Sequence, residues 1–566
     1  MIRKIKQKIR TYLTEKYDAV YFQELEQQVT SYDDWIWETE NTSKEKEMEI
    51  VWDLEKEKRQ KLEQRKGVSL ISYAELDSIQ NLTEHINTLP EDCQIVVLAE
   101  DSEKVTGNTI DRILEVFAKK EEIELLYGDE DEVNHNETVR MNPWFKPDYS
   151  PDTLLSYFYF GKLVAVRKEA LKTAVDSLCQ KQAEFGRGMI SSHVSDEQSK
   201  SLDNNLKTSR ILYSVVLEIC LNLNREHIFH LKQVLYSSHS IKYWGFEEEY
   251  QDIRNYYNNL RRREKADGVS IVIPSKDNPE VLERCLKSIV RWTKDISYEV
   301  IIVDNGSNEE NKTELEKLQQ EYGFSYVYQP MEFNFSKMCN IGAHQAKYDL
   351  LLFLNDDCEV RGSKWLSHMA SLVMVKTTGA VGAKLYYPES KRIQHCGIYN
   401  IQVGPVHKLQ FKEDIRPYYD RRNMDVRNVL AVTAACLIVR KSVFEKINGF
   451  DENLRVAFND VDFCYRLYKA GYNNVIDNEI HLWHHESLSR GSDERPEKLN
   501  RLMQEKQKLY KKHHELWEED PYYPYPQTRQ RAVSTILQSL QASFRRLQGS
   551  QLTCLVCKEY YAEPHT

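Results

Sequence analysis

This 566-residue sequence has no uninterrupted apolar run of about 18 residues, the length a membrane-spanning helix needs. No apolar core follows its basic first residues, so no signal peptide is expected. Basic excess is also missing. With 77 Lys and Arg against 88 Asp and Glu, the formal charge is −11, which argues against a nucleic-acid partner. The 11 cysteines show no regular spacing, as reduced intracellular thiols would, and not as a disulfide framework. Cys554 and Cys557 form a lone CxxC, without the second pair that would complete a tetrahedral zinc site. There is no GxGxxG and no Walker sequence, so hydride transfer and ATP hydrolysis lose support. A cytoplasmic protein is expected. Ile2, Ile5, Ile9 and Leu13 fall on one helical face among Arg3, Lys4, Lys6, Lys8 and Arg10, a pattern suited to peripheral contact at the cytoplasmic face of an anionic membrane or to packing on the protein itself. Ile536, Leu540, Phe544 and Leu547, with arginines nearby, form a weaker pattern of the same kind.

What is present divides the chain. Residues 1–66 are rich in Glu, Lys and Gln and predict a helical extension, and 67–248 form a first domain. Residues 249–267 form a charged linker containing Arg261-Arg262-Arg263-Glu264-Lys265. A second domain spans 268–500, and 501–566 form a C-terminal helical extension. From Gly268 short apolar strands alternate with amphipathic helices: strands at 269–273, 300–303, 324–328 and 350–354, helices at 281–292, 309–322 and 337–346. That alternation predicts an α/β domain with a mostly parallel sheet, whose ligands bind at the carboxyl ends of the strands.

The chemistry-bearing residues cluster at those ends. The first strand ends in Pro274-Ser275-Lys276-Asp277, the second in Asp304-Asn305-Gly306-Ser307, and the fourth in Asn355-Asp356-Asp357. Asp277 and Asp304 can accept from a base and ribose, and Gly306 permits close backbone approach. Asp357 can hold a divalent cation against a diphosphate. Asn and Asp also simply favour turns. Asp460 and Asp462 open a helix that Gly471 caps; carboxylates there are stabilised by the helix dipole, and one facing a cleft can deprotonate a hydroxyl. His484 and His485 follow a strand-like run.

Five motifs in order carry a resemblance: Ile273-Pro-Ser-Lys-Asp-Asn-Pro279, Ile301-Ile-Val-Asp-Asn-Gly-Ser307, Phe353-Leu-Asn-Asp-Asp357, Asn459-Asp-Val-Asp-Phe-Cys-Tyr-Arg466 and His484-His-Glu-Ser-Leu-Ser-Arg-Gly491. Together they resemble a family 2 glycosyltransferase of GT-A fold. With Gln394-His-Cys-Gly397, Val432-Thr-Ala-Ala-Cys436 and Gly449-Phe-Asp-Glu452, they are most similar to bacterial rhamnosyltransferase-like enzymes of surface polysaccharide assembly. The resemblance implies an inverting, metal-dependent transferase. It would move a sugar, rhamnose by family analogy, from a dTDP- or UDP-linked donor to a hydroxyl of a growing cell-surface or cell-wall glycan, lipid-linked acceptors included. It assigns Pro274, Ser275, Asp277, Asp304, Gly306, Asn355 and Asp356 to the nucleotide sugar, with Ser489 and Arg490 near its phosphates. It gives Asp357 and His484 to Mn²⁺ or Mg²⁺, and makes Asp460 the general base. Trp365, His395, Thr433 and Asp462 are the acceptor-side candidates. Asn355 stands where an Asp more often begins the triplet. Asn459 stands where a Glu more usually precedes the base, which leaves Asp462 as the fallback. The alternative is a non-catalytic glycan-binding or scaffold subunit derived from such an enzyme. A scaffold should have lost Asp357, Asp460 and His484 together, and all three remain. A nucleotidyltransferase would need a Gly-rich basic phosphate loop after the first strand, which is missing.

The first half carries a fainter version. Gln94-Ile-Val-Val-Leu-Ala-Glu-Asp101 resembles the strand-plus-triplet segment. Leu126-Tyr-Gly-Asp-Glu-Asp131 and Pro143-Trp-Phe-Lys-Pro-Asp-Tyr-Ser-Pro-Asp152 resemble a leading GT-A domain of tandem relatives. The initial strand with its Pro and Asp, and the Asp-Gly-Ser loop, are expected to be missing. Thr208-Ser-Arg-Ile-Leu212 stands where an acidic pair belongs. A truncated, inactive GT-A-like module for acceptor binding or packing is expected, with an independent metal site at Asp129, Glu130 and Asp131 as the rival.

Overall fold

Runs rich in Val, Ile and Leu assemble into two large sheets. The structure is a computed structural model. It describes residues 52–53, 67–72, 76–99, 104–105, 109–134, 140–185, 204–239, 250–401, 404–418, 421–485, 496–516 and 520–522. Residues 1–38 and 525–566 form one unit and 39–524 another, and every described residue lies in the second. Both terminal amphipathic patterns, Glu100, Asp101, Ser489, Arg490, Cys554 and Cys557 fall outside the described residues.

The first sheet contains β1 (Trp52–Asp53), β2 (Val68–Ser72), β3 (Ile95–Ala99), β4 (Lys104–Val105), β5 (Leu125–Val133), β6 (Arg140–Trp144), β7 (Leu163–Arg167) and β8 (Ile228–Ser238). The second contains β9 (Val269–Ser275), β10 (Tyr298–Asp304), β11 (Ser325–Tyr328), β12 (Leu350–Leu354), β13 (Cys358–Val360), β14 (Thr378–Tyr386), β15 (Ile393–His395), β18 (Val426–Val429), β19 (Cys436–Arg440) and β20 (Asn473–His484); β16 (Ile398–Ile401) and β17 (Gly404–His407) form a separate hairpin. Its order is β11-β10-β9-β12-β19-β14-β20-β13. The strands from β11 to β12 are parallel to their neighbours, as the alternation predicts. Beyond β12 the sheet is mixed: β19 runs antiparallel to β12 and β14, while β14 and β20 are parallel.

Successive strand residues enter opposite layers. Ile271, Ile273, Leu350, Leu352 and Leu354 join one apolar cluster, and Val272, Leu351 and Phe353 join the other. Both faces are covered, which is why these strands read as continuous apolar runs. Replacing Leu352 by Ala would cost about 2–5 kcal/mol. The flanking helices follow their local signals. Pro279 opens Pro279–Trp292, whose buried face is Leu282, Cys285, Leu286 and Ile289. Asn308 caps Glu309–Tyr322 by accepting from Asn311 N, and Gly323, at φ 69°, ends it.

The first sheet repeats six successive strands of the second. Its order β4-β8-β5-β7-β3-β2 matches β13-β20-β14-β19-β12-β9, with the same parallel or antiparallel sense at each step. This corrects the expectation that the initial strand is missing. Val68–Ser72 stands in its place, parallel to β3, and what has no counterpart among the described residues is the β10-β11 pair at one edge and β18 beside β20. Helix Pro151–Ser156 docks on strand β18. Asn428 Oδ1 accepts from the N–H groups of Asp152 (2.9 Å) and Thr153 (3.3 Å), donors that the helix itself cannot satisfy. Asn428 Nδ2 donates to Asp152 Oδ2 at 2.9 Å. Helix Pro496–Lys512 runs across the boundary expected at 500/501, and its Leu509 is buried in the second sheet's core.

Candidate active site

Strands β9, β10 and β12 deliver their carboxyl ends to one edge, β20 ends there with His484, and the loop entering β19 (Thr433–Ala435) joins them, since Asn355 N donates to Ala435 O at 3.1 Å. On the nucleotide side the loops are tied to one another. Asp304 is fully buried; its Oδ1 accepts from Ser307 N (3.0 Å) and Ser307 Oγ (2.7 Å), and its Oδ2 accepts from the Tyr326 hydroxyl. Ser307 Oγ in turn accepts from Asp277 N at 2.9 Å. Asp304 therefore ties the loop together through both of its oxygens. Asp277 holds a left-handed backbone (φ 55°), with Oδ1 accepting from Asn308 N at 2.8 Å. Pro274 is buried in β9. Gly306 sits at φ 82°, and a Cβ there would lie 3.0 Å from Pro330 Cα.

The triplet is anchored from both sides. Ser275 Oγ donates to Asp356 Oδ2 at 2.7 Å. Asp357, 5% exposed, places Oδ1 3.1 Å from His484 Nε2, because β13 pairs with β20 and sets Cys358 opposite His484. The His484 tautomer is fixed from behind: Nδ1 lies 2.8 Å from Gln394 Oε1, while Gln394 Nε2 donates to His484 O at 3.4 Å. Only one amide orientation serves both contacts, so Nδ1 carries a proton, and in the neutral ring Nε2 bears the lone pair. Asn355 Nδ2 donates to that lone pair at 3.2 Å. A carboxylate oxygen and an imidazole nitrogen 3.1 Å apart form an ion pair when the ring holds both protons and can share a divalent metal when Nε2 is bare, so these residues fit such an ion. The Cys358 sulfur lies with them but does not fit: burial and the adjacent Asp357 push its thiol well up, and it donates to Ala435 O at 3.3 Å. His485 pairs instead with Glu359 at 2.7 Å. Among the described residues one other group could hold a metal, His368, Asp477 and Glu479, but Arg262 Nη1 already lies 3.3 Å from His368 Nε2.

Asp460 opens helix Asn459–Lys469. Its Oδ2 accepts from Ala434 N (3.0 Å) and its Oδ1 from Val461 N (2.9 Å), so the carboxylate is oriented by two different elements. It lines a cavity of about 280 Å³ together with Asn355, Ile398, His407, Thr433 and Phe458. Asn459, 3% exposed, accepts from Asp460 N at 2.8 Å and so holds the turn without adding charge beside Asp460. Glu505, reaching in from helix Pro496–Lys512, accepts from Arg455 N (3.1 Å) and Ala457 N (2.7 Å) and fixes the lining loop.

Three acceptor-side expectations are corrected. Trp365 is 1% exposed in the core, with Nε1 donating to Thr293 Oγ1 at 2.9 Å. Asp462 is fully buried among His513 (2.8 Å), Lys512 (2.7 Å) and Arg466 (2.8 Å); burial opposes its ionisation, but the hydrogen bond to His513 and the charges of Arg466 and Lys512 hold its carboxyl far below the usual range, which removes it as a fallback base. His395 is fully buried one layer behind the cavity, whereas Thr433 lines it. In the first sheet the rival metal site is also overturned. Arg140 meets Asp131 at 2.6 Å, His230 meets Asp129 at 2.9 Å, and the fully buried Lys146 lies 3.7 Å from Glu130. Sequence reasoning missed the service of Gln394, 90 residues from His484, and missed His407 and Glu505 entirely. Gln394 stood in a quoted motif; the other two left no local signal.

A mixed sheet with carboxylates, a histidine and a helix-borne Asp at one edge is the arrangement of a GT-A transferase. Residues 270–448 match the family model Glycosyl transferase family 2, so that domain of the chain belongs to the family. It is 30% identical to an uncharacterized protein of Sinorhizobium fredii, y4gI, over 72% of this chain and 46% of that one. It is also 30% identical to the O-antigen biosynthesis protein RfbC of Myxococcus xanthus, over 70% of this chain and 31% of that one. The chain thus spans less than half the length of either relative. A shorter stretch is 36% identical to the N-acetylglucosaminyl-diphospho-decaprenol L-rhamnosyltransferase of Mycobacterium tuberculosis, over 13% of this chain and 24% of that one. Among the described residues no helix is long and apolar enough to cross a membrane.

Proposed function

We propose that the chain is an inverting glycosyltransferase that moves a sugar from a dTDP- or UDP-linked donor to a hydroxyl of a surface glycan. The observation that carries this reading is the convergence of Asp460 and Asn355 on one cavity, with the Asp357–His484 pair directly behind Asn355. Asp357 Oδ1 and His484 Nε2 would hold Mn²⁺ or Mg²⁺, which supplies charge neutralisation for the diphosphate when bound. Asp460 takes the proton from the acceptor hydroxyl as that oxygen bonds to the anomeric carbon, while the bond from that carbon to the diphosphate oxygen breaks on the opposite face. One displacement inverts the centre. Fixed N–H donors from Ala434 and Val461 keep the carboxylate aimed, so little reorganisation is needed. Rhamnose as the transferred sugar is supported by the Mycobacterium tuberculosis relative, and a surface polysaccharide as the product by RfbC. The first half is proposed as a non-catalytic module that packs against β18.

The test is a thermal-shift panel of UDP-, dTDP- and GDP-sugars with and without Mn²⁺. Ligand at about 100 Kd stabilises by about 2.7 kcal/mol, a shift of several degrees. A metal-dependent shift for one nucleotide class supports the reading. No shift with any of them, with or without Mn²⁺, would remove it.

A further inference from the structure

His395 cannot touch an acceptor, yet it is built into the cavity wall in a way that prepares its neighbour. Its Nδ1 lies 2.9 Å from His407 Nδ1, and its Nε2 accepts from Thr433 N at 3.4 Å. With Nε2 accepting, the single proton of neutral His395 sits on Nδ1 and is donated to His407 Nδ1. Burial, joined by the nearby His407, His484 and Lys408, keeps His395 neutral by lowering its pKa well below the usual histidine range. His407 therefore carries its own proton on Nε2. A proton on His407 Nδ1 instead would move the His395 proton to Nε2, against the Thr433 N–H.

His407 is half-buried and lines the cavity that holds Asp460. It rides on the β16-β17 hairpin, where it stands opposite Ile398. That hairpin is pinned: Tyr510 donates to Asn400 Oδ1 at 2.8 Å, and Gly404, at φ 108°, packs so closely that a Cβ would lie 2.9 Å from Lys506 Cε. Around it Ile398, Val406 and Phe458 give apolar walls of the kind that receive the face of a sugar ring.

We propose that His407 is an acceptor-binding residue, its Nε2–H donating to a ring or hydroxyl oxygen of the acceptor sugar while Asp460 receives the proton of the attacking hydroxyl. The proposal rests on the glycosyl-transfer reading of the cleft. Because His395 acts through His407, it is a positioning residue.

The test uses the full chain with Mn²⁺, UDP- and dTDP-sugar donors, and octyl glycosides of glucose, galactose, N-acetylglucosamine and rhamnose as acceptor probes, reading nucleoside diphosphate release. In His407→Ala the KM for the octyl glycoside should rise about tenfold, the factor one hydrogen bond carries, while the donor KM moves less than twofold. His407→Gln, which restores an N–H donor, should recover most of the loss, and His395→Ala should move the acceptor KM in the same direction as His407→Ala. An unchanged acceptor KM in His407→Ala, or equal changes in both KM values, would overturn the proposal. A second measurement needs no substrate: long-range ¹⁵N–¹H correlation on ¹⁵N-histidine-labelled protein should show His395 protonated at Nδ1 and His407 at Nε2, and the reversed pair overturns it. Wild-type protein that releases no nucleoside diphosphate from any donor counts against the transferase reading, and the imidazole measurement then still judges the His395–His407 pair.

Discussion

At the end of β5, Asp131 sits 2.6 Å from Arg140, Asp129 is bonded to His230, and Glu130 faces the buried Lys146. At the end of β12, Asp357 faces a histidine nitrogen that carries a lone pair. By strand order β5 matches β14 and β12 matches β3, so these are not equivalent positions, and the contrast lies in how each half treats its own buried carboxylates. Unpaired buried charge is costly, and the first half removes that cost with cations of its own. In the second half Asp357 faces His484 instead, a pair that also fits a divalent cation. The same divergence recurs elsewhere. Ser237 stands opposite Lys104 where His484 stands opposite Cys358, and the helix before β8 carries Ser209 and Arg210, the latter 2.6 Å from Asp252, near where the later helix carries Asp460.

Substitutions can break this comparison. The largest effect is expected at the base: Asp460→Asn should lower transfer about 10²–10⁴-fold with the circular dichroism spectrum intact. A rate within tenfold of wild type would take the role from Asp460. Next, Lys146→Met should destabilise the chain by about 3 kcal/mol, read as the urea midpoint, because Glu130 is left buried without its cation. Asp357→Asn should leave stability unchanged or raise it, since it removes one of two facing lone pairs. Equal losses in the two variants would erase the contrast.

The pH dependence divides along the same line. The lowered pKa of Asp462 makes its stabilisation complete above about pH 4 and lost as pH falls through the lower folded value. For His230, burial pushes the pKa down, but Asp129 and Asp148 outweigh it and the net shift is upward. Its stabilisation is complete below about pH 6.5 and lost as pH rises through the higher folded value. Urea midpoints across pH should therefore fall at the acid end in wild type but less so in Asp462→Asn. They should fall above neutrality in wild type but less so in His230→Gln. The smallest effect is expected at Trp365→Phe, about 1 kcal/mol for the bond to Thr293, with no change in acceptor KM.

Much of the second half was legible because local rules and the fold agree there. The β-branched run at β9, the Asn308 cap and the Gly323 stop each specify the element that forms. What stayed hidden was pairing at long range. Strand β13 against β20 brings His484 to Asp357, and Gln394 reaches His484 across 90 residues. Trp365 and Asp462 were misread because residue type was weighed without burial: both point inward, toward Thr293 and toward His513. In the first half β2 escaped notice because Val68–Ser72 lacks the Pro and Asp that mark β9.

The most direct test of a metal-binding second half beside a self-neutralised first half is Mn²⁺ titration followed by electron paramagnetic resonance with UDP or dTDP present. One Mn²⁺ per chain, lost in Asp357→Ala, is expected. Two bound ions, or a single ion retained in that variant, would contradict it.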